Sequence, residues 1–125
     1  MLNGQRRRDA RLHDGIAFDD APFGIVGLET AFGVAYTELV EGGVLRLPEL
    51  INRMSTAPAR AFHLPGGGLR IGGVADVCVL DVTRPWTVDP AQFHSKSRNS
   101  PFGGRRVTGR VRMTLVAGRI VHDTP

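Results

Sequence analysis

The chain has 125 residues, 42% of them hydrophobic and 22% charged, with a net charge of +4: the composition of one ordinary globular domain, which excludes a disordered or fibrous chain. No apolar run approaches the roughly 20 residues a membrane-spanning helix needs, and the arginines of MLNGQRRRDARLHDG have no apolar stretch behind them, which excludes a secretory signal. A single cysteine, Cys78, excludes an internal disulfide and fits a reducing compartment, so the expectation is a soluble, cytoplasmic protein.

Residues 1–20 are dense in charge and show no sustained period, which predicts an irregular or poorly ordered start. The stretch APFGIVGLET (21–30) is too apolar for a plain surface loop, and its Pro and two Gly do not suit a strand interior. Two readings stand: a buried approach to a helix, or a backbone that turns sharply so that another group can come close. From Leu28 the apolar residues fall at 28, 31, 32, 35, 36, 39 and 40, which is helical spacing, and Gly42-Gly43 supplies the stop. A second helix is predicted to begin near Pro48, with Leu50, Ile51 and Met54 on its apolar side. Ser55 or Thr56 can cap a third short helix that has Pro58 near its start and Ala59, Ala61 and Phe62 inside.

Pro65-Gly-Gly-Gly68 breaks the helical pattern. VADVCVLDV (74–82) is rich in β-branched residues and nearly continuously apolar, which predicts a strand covered on both faces. Residues 83–104, with Pro85, Pro90, Pro101 and Gly103, read as an ordered excursion. From Val107 to Val116 the chain alternates, Val111, Met113 and Leu115 against Arg110, Arg112 and Thr114, and Ala117-Gly118 turns it into Arg119-Ile-Val121 as a hairpin. The basic excess lies here: residues 63–125 carry 9 basic and 4 acidic groups, against 7 and 8 in residues 1–62. A nucleic-acid site would want aromatic residues among Arg98, Arg105, Arg106, Arg110, Arg112 and Arg119, but only Phe93 and Phe102 lie nearby. Solvated arginines on a strand face are the reading, with neither nucleic acid nor membrane as partner. Helices followed by strands predict an α+β fold or pieces of two domains, and three strands with three short helices make an incomplete arrangement.

Isolated side chains offer no reaction centre. His13, His63, His94 and His122 are far apart in the chain and none shares a chelating spacing with another. Cys78, inside an apolar strand, is expected to be a buried, inert thiol. Asp76 and Asp81 flank that strand and are read as fixing loops rather than as a catalytic pair. Gly66-Gly-Gly68 lacks the following Lys-Ser/Thr of a phosphate loop.

FDDAPFGIVGLET (18–30) resembles the segment after the last barrel motif of dihydroorotases, zinc enzymes of the amidohydrolase superfamily. The similarity continues in order through GGVLRLPELINRMSTAPARAFHL (42–64), GGLRIGGVADVCVLDVTRPWTV (67–88), FHSKSRNSPFGG (93–104) and GRVRMTLVAGRIV (109–121). GGVAD and the final hairpin are shared widely among amidohydrolases, whereas APFGIVGLET and SKSRNSPF are particular to the dihydroorotase branch.

The resemblance implies hydrolysis of the ring amide of dihydroorotate to N-carbamoyl-aspartate, reversibly, in pyrimidine biosynthesis. It implies a chain made of the last helices of a (β/α)8 barrel and the C-terminal strands of its small β-sandwich domain. Residues 1–17 then lie outside the resemblance, 18–66 form the last barrel loop and helices, and 67–125 form the strands of the small domain. Pro22, Phe23 and Gly24, with Ala21 beside them, match the Pro-Phe-Gly turn that holds substrate through main-chain groups in the family. Glycine suits such a turn because amides reach a ligand only where side chains stay clear.

The family's Thr-Asp-His-Ala-Pro-His motif, with its catalytic Asp, is missing from MLNGQRRRDARLHDGIAF, where Asp9, His13 and Asp14 stand in the wrong order. No catalytic residue and no zinc ligand is therefore expected in this chain, which by itself is expected to be inactive. The expected partners are a small-molecule substrate in the intact enzyme, a second copy of the chain, or a transcarbamoylase. Alternatives are another cyclic amidohydrolase of the dihydropyrimidinase or allantoinase type, or a non-catalytic dihydroorotase-like scaffold.

Overall fold

A computed structural model describes residues 24–124, so the irregular start expected over 1–20 lies outside the described residues. Two helical runs precede one antiparallel sheet of three strands in the order β1-β2-β3, an α+β arrangement.

The first run begins with α1, Ala31–Ala35, and continues in wider π-helical turns over Tyr36–Glu41. Thr30 is wholly buried just ahead of it and gives its N–H and its hydroxyl to the Gly27 carbonyl at 3.1 and 3.2 Å. Leu28, expected on the apolar side of the helix, sits in the turn before it and is 97% exposed. The stop comes where Gly42-Gly43 predicts it. The Gly43 N–H meets the Val40 carbonyl at 3.0 Å and the Val44 N–H meets the Leu39 carbonyl at 2.8 Å, which satisfies the last carbonyls in the Schellman pattern.

The second run unites the two later helices expected from the sequence. α2, Leu47–Ile51, passes through π-helical turns over Asn52–Thr56 into α3, Ala57–Ala61. Thr56 does not cap α3: its backbone is helical (φ −66°, ψ −44°), and its hydroxyl donates to the Gly67 carbonyl at 2.6 Å. Pro58 brings no N–H and crowds the preceding turn, and the wider turns ahead of it let the helix continue past it.

β1 is Val77–Thr87, β2 Arg106–Val116 and β3 Arg119–Asp123. β1 starts later than expected and runs through Pro85, so the excursion begins only after Thr87. The register shifts between Asp81 and Pro85, and a bulge is where a residue without an N–H can sit in a strand. Asp81 builds that bulge by accepting at Oδ1 from the Thr83 N–H (2.8 Å) and hydroxyl (2.7 Å) and from the Arg84 N–H (3.3 Å). Asp76 accepts from the Ala117 N–H at 2.8 Å, where Ala117 (φ 48°) and Gly118 (φ 77°) turn β2 into β3. Asp76 thus fixes a turn, as the sequence predicts, whereas Asp81 lies within β1 and fixes its bulge.

Alternation on β2 holds over its first half, where Val107 and Gly109 are buried and Arg110 and Arg112 exposed, but is lost at Met113, Thr114 and Leu115, which are all half-buried. Arg105 pairs with Glu38, and the Arg110 guanidinium lies 5.4 Å over the Trp86 ring. The core gathers Val88, Phe93 and Val107, with Val26, Val34, Trp86 and Phe102 packed against them. α1 approaches β2 through two glycines. A Cβ on Gly33 would stand 2.7 Å from the Gly109 carbonyl oxygen, and that oxygen also accepts from the Trp86 indole at 3.0 Å.

β1 departs from the expected burial on both faces. α1 packs on β2, leaving Val79 44% exposed and Cys78 exposed among the described residues. Cys78 in the native 125-residue chain should therefore react with a thiol reagent without denaturant, to one equivalent. A thiol that reacts only after unfolding would show that β1 is covered.

Candidate functional site

Of the three residues to which the resemblance assigns substrate contact, Pro22 and Phe23 lie outside the described residues. Gly24 is exposed with φ 67°, in the left-handed region that side chains disfavour. A Cβ added there would meet nothing within 4 Å, so the glycine answers a demand of the backbone and not of crowding.

Four hydrogen bonds join this segment to a loop 65 to 75 residues further along. The Asn99 side-chain amide donates to the Gly24 carbonyl, and the Val26 N–H donates to the Asn99 carbonyl at 2.9 Å. Glu29 accepts from the His94 N–H through Oε2 at 2.9 Å and from the Ser95 N–H through Oε1 at 3.0 Å. Three of the four join APFGIVGLET to SKSRNSPF, the stretches that carry the more particular part of the resemblance, and the fourth is to His94 just before the latter. Sequence spacing could not reveal that they meet.

The second loop is shaped from within. Asp89 accepts from the Ala91 N–H at 3.0 Å and starts the 3-10 turn Pro90–Gln92, which delivers Phe93 to the core. The Arg98 guanidinium donates to the carbonyls of Ser95 and Ser97, and the Ser97 hydroxyl accepts the Asn99 N–H at 3.2 Å. Phe102 returns the chain to the core, so packed aromatic residues hold both ends of the loop.

Slight burial opposes the charged form of Glu29, but the amides of His94 and Ser95, with His94 and Arg98 nearby, outweigh it and hold its carboxyl below the usual range. With the folded value lowered, what this carboxylate adds to stability is present above the unfolded value and is lost as pH falls through the folded one.

Beside Glu29 lies a cavity of about 360 Å³ whose lining includes Leu28, Phe32, Trp86, Phe93, His94 and His122. The histidines, far apart in the chain, are not all far apart in space. His94 and His122 face each other edge to face with ring centroids 6.3 Å apart, and His122 Nε2 lies 2.9 Å from the Thr124 hydroxyl. Among the described residues no group of three His, Cys, Asp or Glu side chains could hold a metal ion, so they do not fit a zinc centre. His13, Asp9 and Asp14 lie outside the described residues. Among the described residues, Glu29 and the Asn99 amide join the two loops beside this cavity. Among the described residues no helix is long and apolar enough to cross a membrane.

The dihydroorotase of Anaeromyxobacter sp. (strain K) is 54% identical to this chain over 108 residues, 86% of the chain and 25% of that protein. The dihydroorotase of Latilactobacillus sakei is 48% identical over 104 residues, 82% of the chain and 24% of that protein. The chain thus spans about a quarter of the length of the curated relatives it matches. Among solved structures, the L-hydantoinase (dihydropyrimidinase) of Arthrobacter aurescens is similar with a TM-score of 0.77 and 37% identity, over 83% of this chain and 24% of that one. The sequence pattern of the Amidohydrolase family matches residues 17–122, and with more than four fifths of its length so matched the chain belongs to the amidohydrolase family.

Proposed function

We propose that this chain carries the substrate-turn segment of a dihydroorotase, the cyclic amidohydrolase that interconverts dihydroorotate and N-carbamoyl-aspartate. The helical runs are then the last helices of the barrel and β1–β3 the C-terminal strands of the small domain. Pro22, Phe23 and Gly24 bind substrate through main-chain groups, while the metal and the catalytic Asp come from sequence outside this chain. One observation supports the reading above the rest. The two stretches that resemble dihydroorotases most particularly are hydrogen-bonded to each other, Gly24 and Val26 to Asn99 and Glu29 to Ser95.

The hydantoinase reading has the structural similarity in its favour. Identity of 54% to a dihydroorotase against 37% to a hydantoinase favours the former. Grafting residues 18–122 in place of the matching quarter of the Anaeromyxobacter dihydroorotase tests the choice. The graft should hydrolyse carbamoyl-aspartate's cyclic precursor, dihydroorotate, within about tenfold of the parent, a change of ~1.4 kcal/mol in the barrier. A folded, zinc-loaded graft without turnover would refute the proposal. The 125-residue chain alone should neither retain stoichiometric zinc nor form carbamoyl-aspartate above a metal-free blank, and turnover there would reveal a ligand set outside the described residues.

A further inference from the structure

We infer that Asn99, seated by Glu29, is the positioning residue of the Gly24 turn. A carbonyl oxygen only accepts, so the Asn99 group that faces the Gly24 oxygen is its NH2. The contact therefore fixes the orientation of one peptide plane at a glycine, whose backbone freedom leaves that plane otherwise loosely set. Among the described residues, packing does not steady this segment. A Cβ at Gly24 would find open space, and neither Gly24 nor Ile25, which is 60% exposed, is packed into the core.

Asn99 can act in this way only if its own backbone is held. The Val26 N–H grips its carbonyl and the Ser97 hydroxyl receives its N–H. Glu29 holds the start of the same loop by taking two successive amides, one on each carboxylate oxygen. A carboxylate accepting two N–H groups makes charge-assisted bonds, stronger than neutral ones. Glu29 is exposed and buries no apolar surface in the core, so its work is the junction of two loops. The inference rests on the reading of the Gly24 turn as a substrate-binding element, to which it adds the residues that set the geometry of the turn.

Two variants test it in the 125-residue chain. Asn99→Asp keeps the shape and the backbone bonds of Asn99 but replaces the donor with a carboxylate oxygen against the Gly24 carbonyl. Glu29→Ala removes the acceptor of the His94 and Ser95 amides, and Glu29→Gln restores one carbonyl acceptor. Nuclear relaxation should show increased fast motion of the Gly24 and Ile25 amides in Asn99→Asp, with Val26 exchange within about threefold of the parent. Glu29→Ala should speed exchange at His94 and Ser95 about tenfold and also loosen Gly24, with partial recovery in Glu29→Gln. Exchange in β2 and β3 should be unchanged in all three. Unaltered Gly24 motion in Asn99→Asp, or exchange rising throughout β2 and β3 in step with it, overturns the inference. In the graft, Asn99→Asp should raise KM about tenfold at a kcat within twofold. A loosened Gly24 with unchanged KM would sink the substrate reading of the turn and leave the positioning role standing.

Discussion

Replacing Gly33 by valine should remove about 3 kcal/mol of stability from the chain, near the upper end of overpacking costs. The new Cβ would stand 2.7 Å from the Gly109 carbonyl oxygen and within 3.3 Å of side-chain atoms of Val107 and Trp86. That oxygen cannot retreat without losing the Trp86 indole, and Val107 belongs to the buried core. α1 would be pushed off β2, taking with it the bond from the Thr108 N–H to the Thr37 hydroxyl at 2.8 Å. Urea unfolding followed by circular dichroism reads the loss as a lowered midpoint at an unchanged slope. A Gly33→Val midpoint equal to that of the parent would mean that α1 does not pack on β2 as described.

Replacing Gly24 by valine in the graft should raise KM for dihydroorotate at least about tenfold, with a smaller change in kcat. The open space around Gly24 gives no clash to blame. The cost is conformational: at φ 67° an L-residue is disfavoured by about 1–2 kcal/mol, more with a branched Cβ, and ~1.4 kcal/mol is tenfold in binding. A turn that relaxes to escape the strain also breaks the Asn99 contact. Loss seen chiefly in KM marks binding common to the ground and transition states, as expected of a residue that holds substrate without joining the chemistry. Unchanged KM would remove Gly24 from the site.

Local physics made part of this architecture legible. The alternation over 107–112, the Ala117-Gly118 turn and the stop at Gly42-Gly43 depend on neighbours within a few residues, and the structure has them where the sequence predicts. Pairing and packing hid the rest. A proline ordinarily ends a strand, but the bulge from Asp81 to Pro85 exists only because β1 is paired with β2, so the passage through Pro85 had no local sign. Ser55 and Thr56 looked like caps because the cap signal and Pro58 agree, yet a wide helical turn absorbed the proline and Thr56 found Gly67 instead. Cys78 reads as buried from its apolar neighbours, whereas its exposure depends on what lies over β1. At the candidate site, the resemblance singled out both loops, but the bonds of Asn99 to Gly24 and of Glu29 to His94 and Ser95 arise only when the core brings the loops together.

The central claim is that these residues serve a dihydroorotase and not another cyclic amidohydrolase. Its most direct measurement is the ratio of kcat/KM for dihydroorotate to that for hydantoin in the graft carrying residues 18–122. Dihydroorotate is a six-membered ring carrying a carboxylate and hydantoin a five-membered ring without one, and a site built to bind such a group rejects an analogue lacking it by a factor of about 10⁴. A ratio of that order, reduced by Gly24→Val, is the result predicted here. A ratio near one, or turnover of hydantoin in preference, would contradict the assignment and place the chain with the hydantoinases.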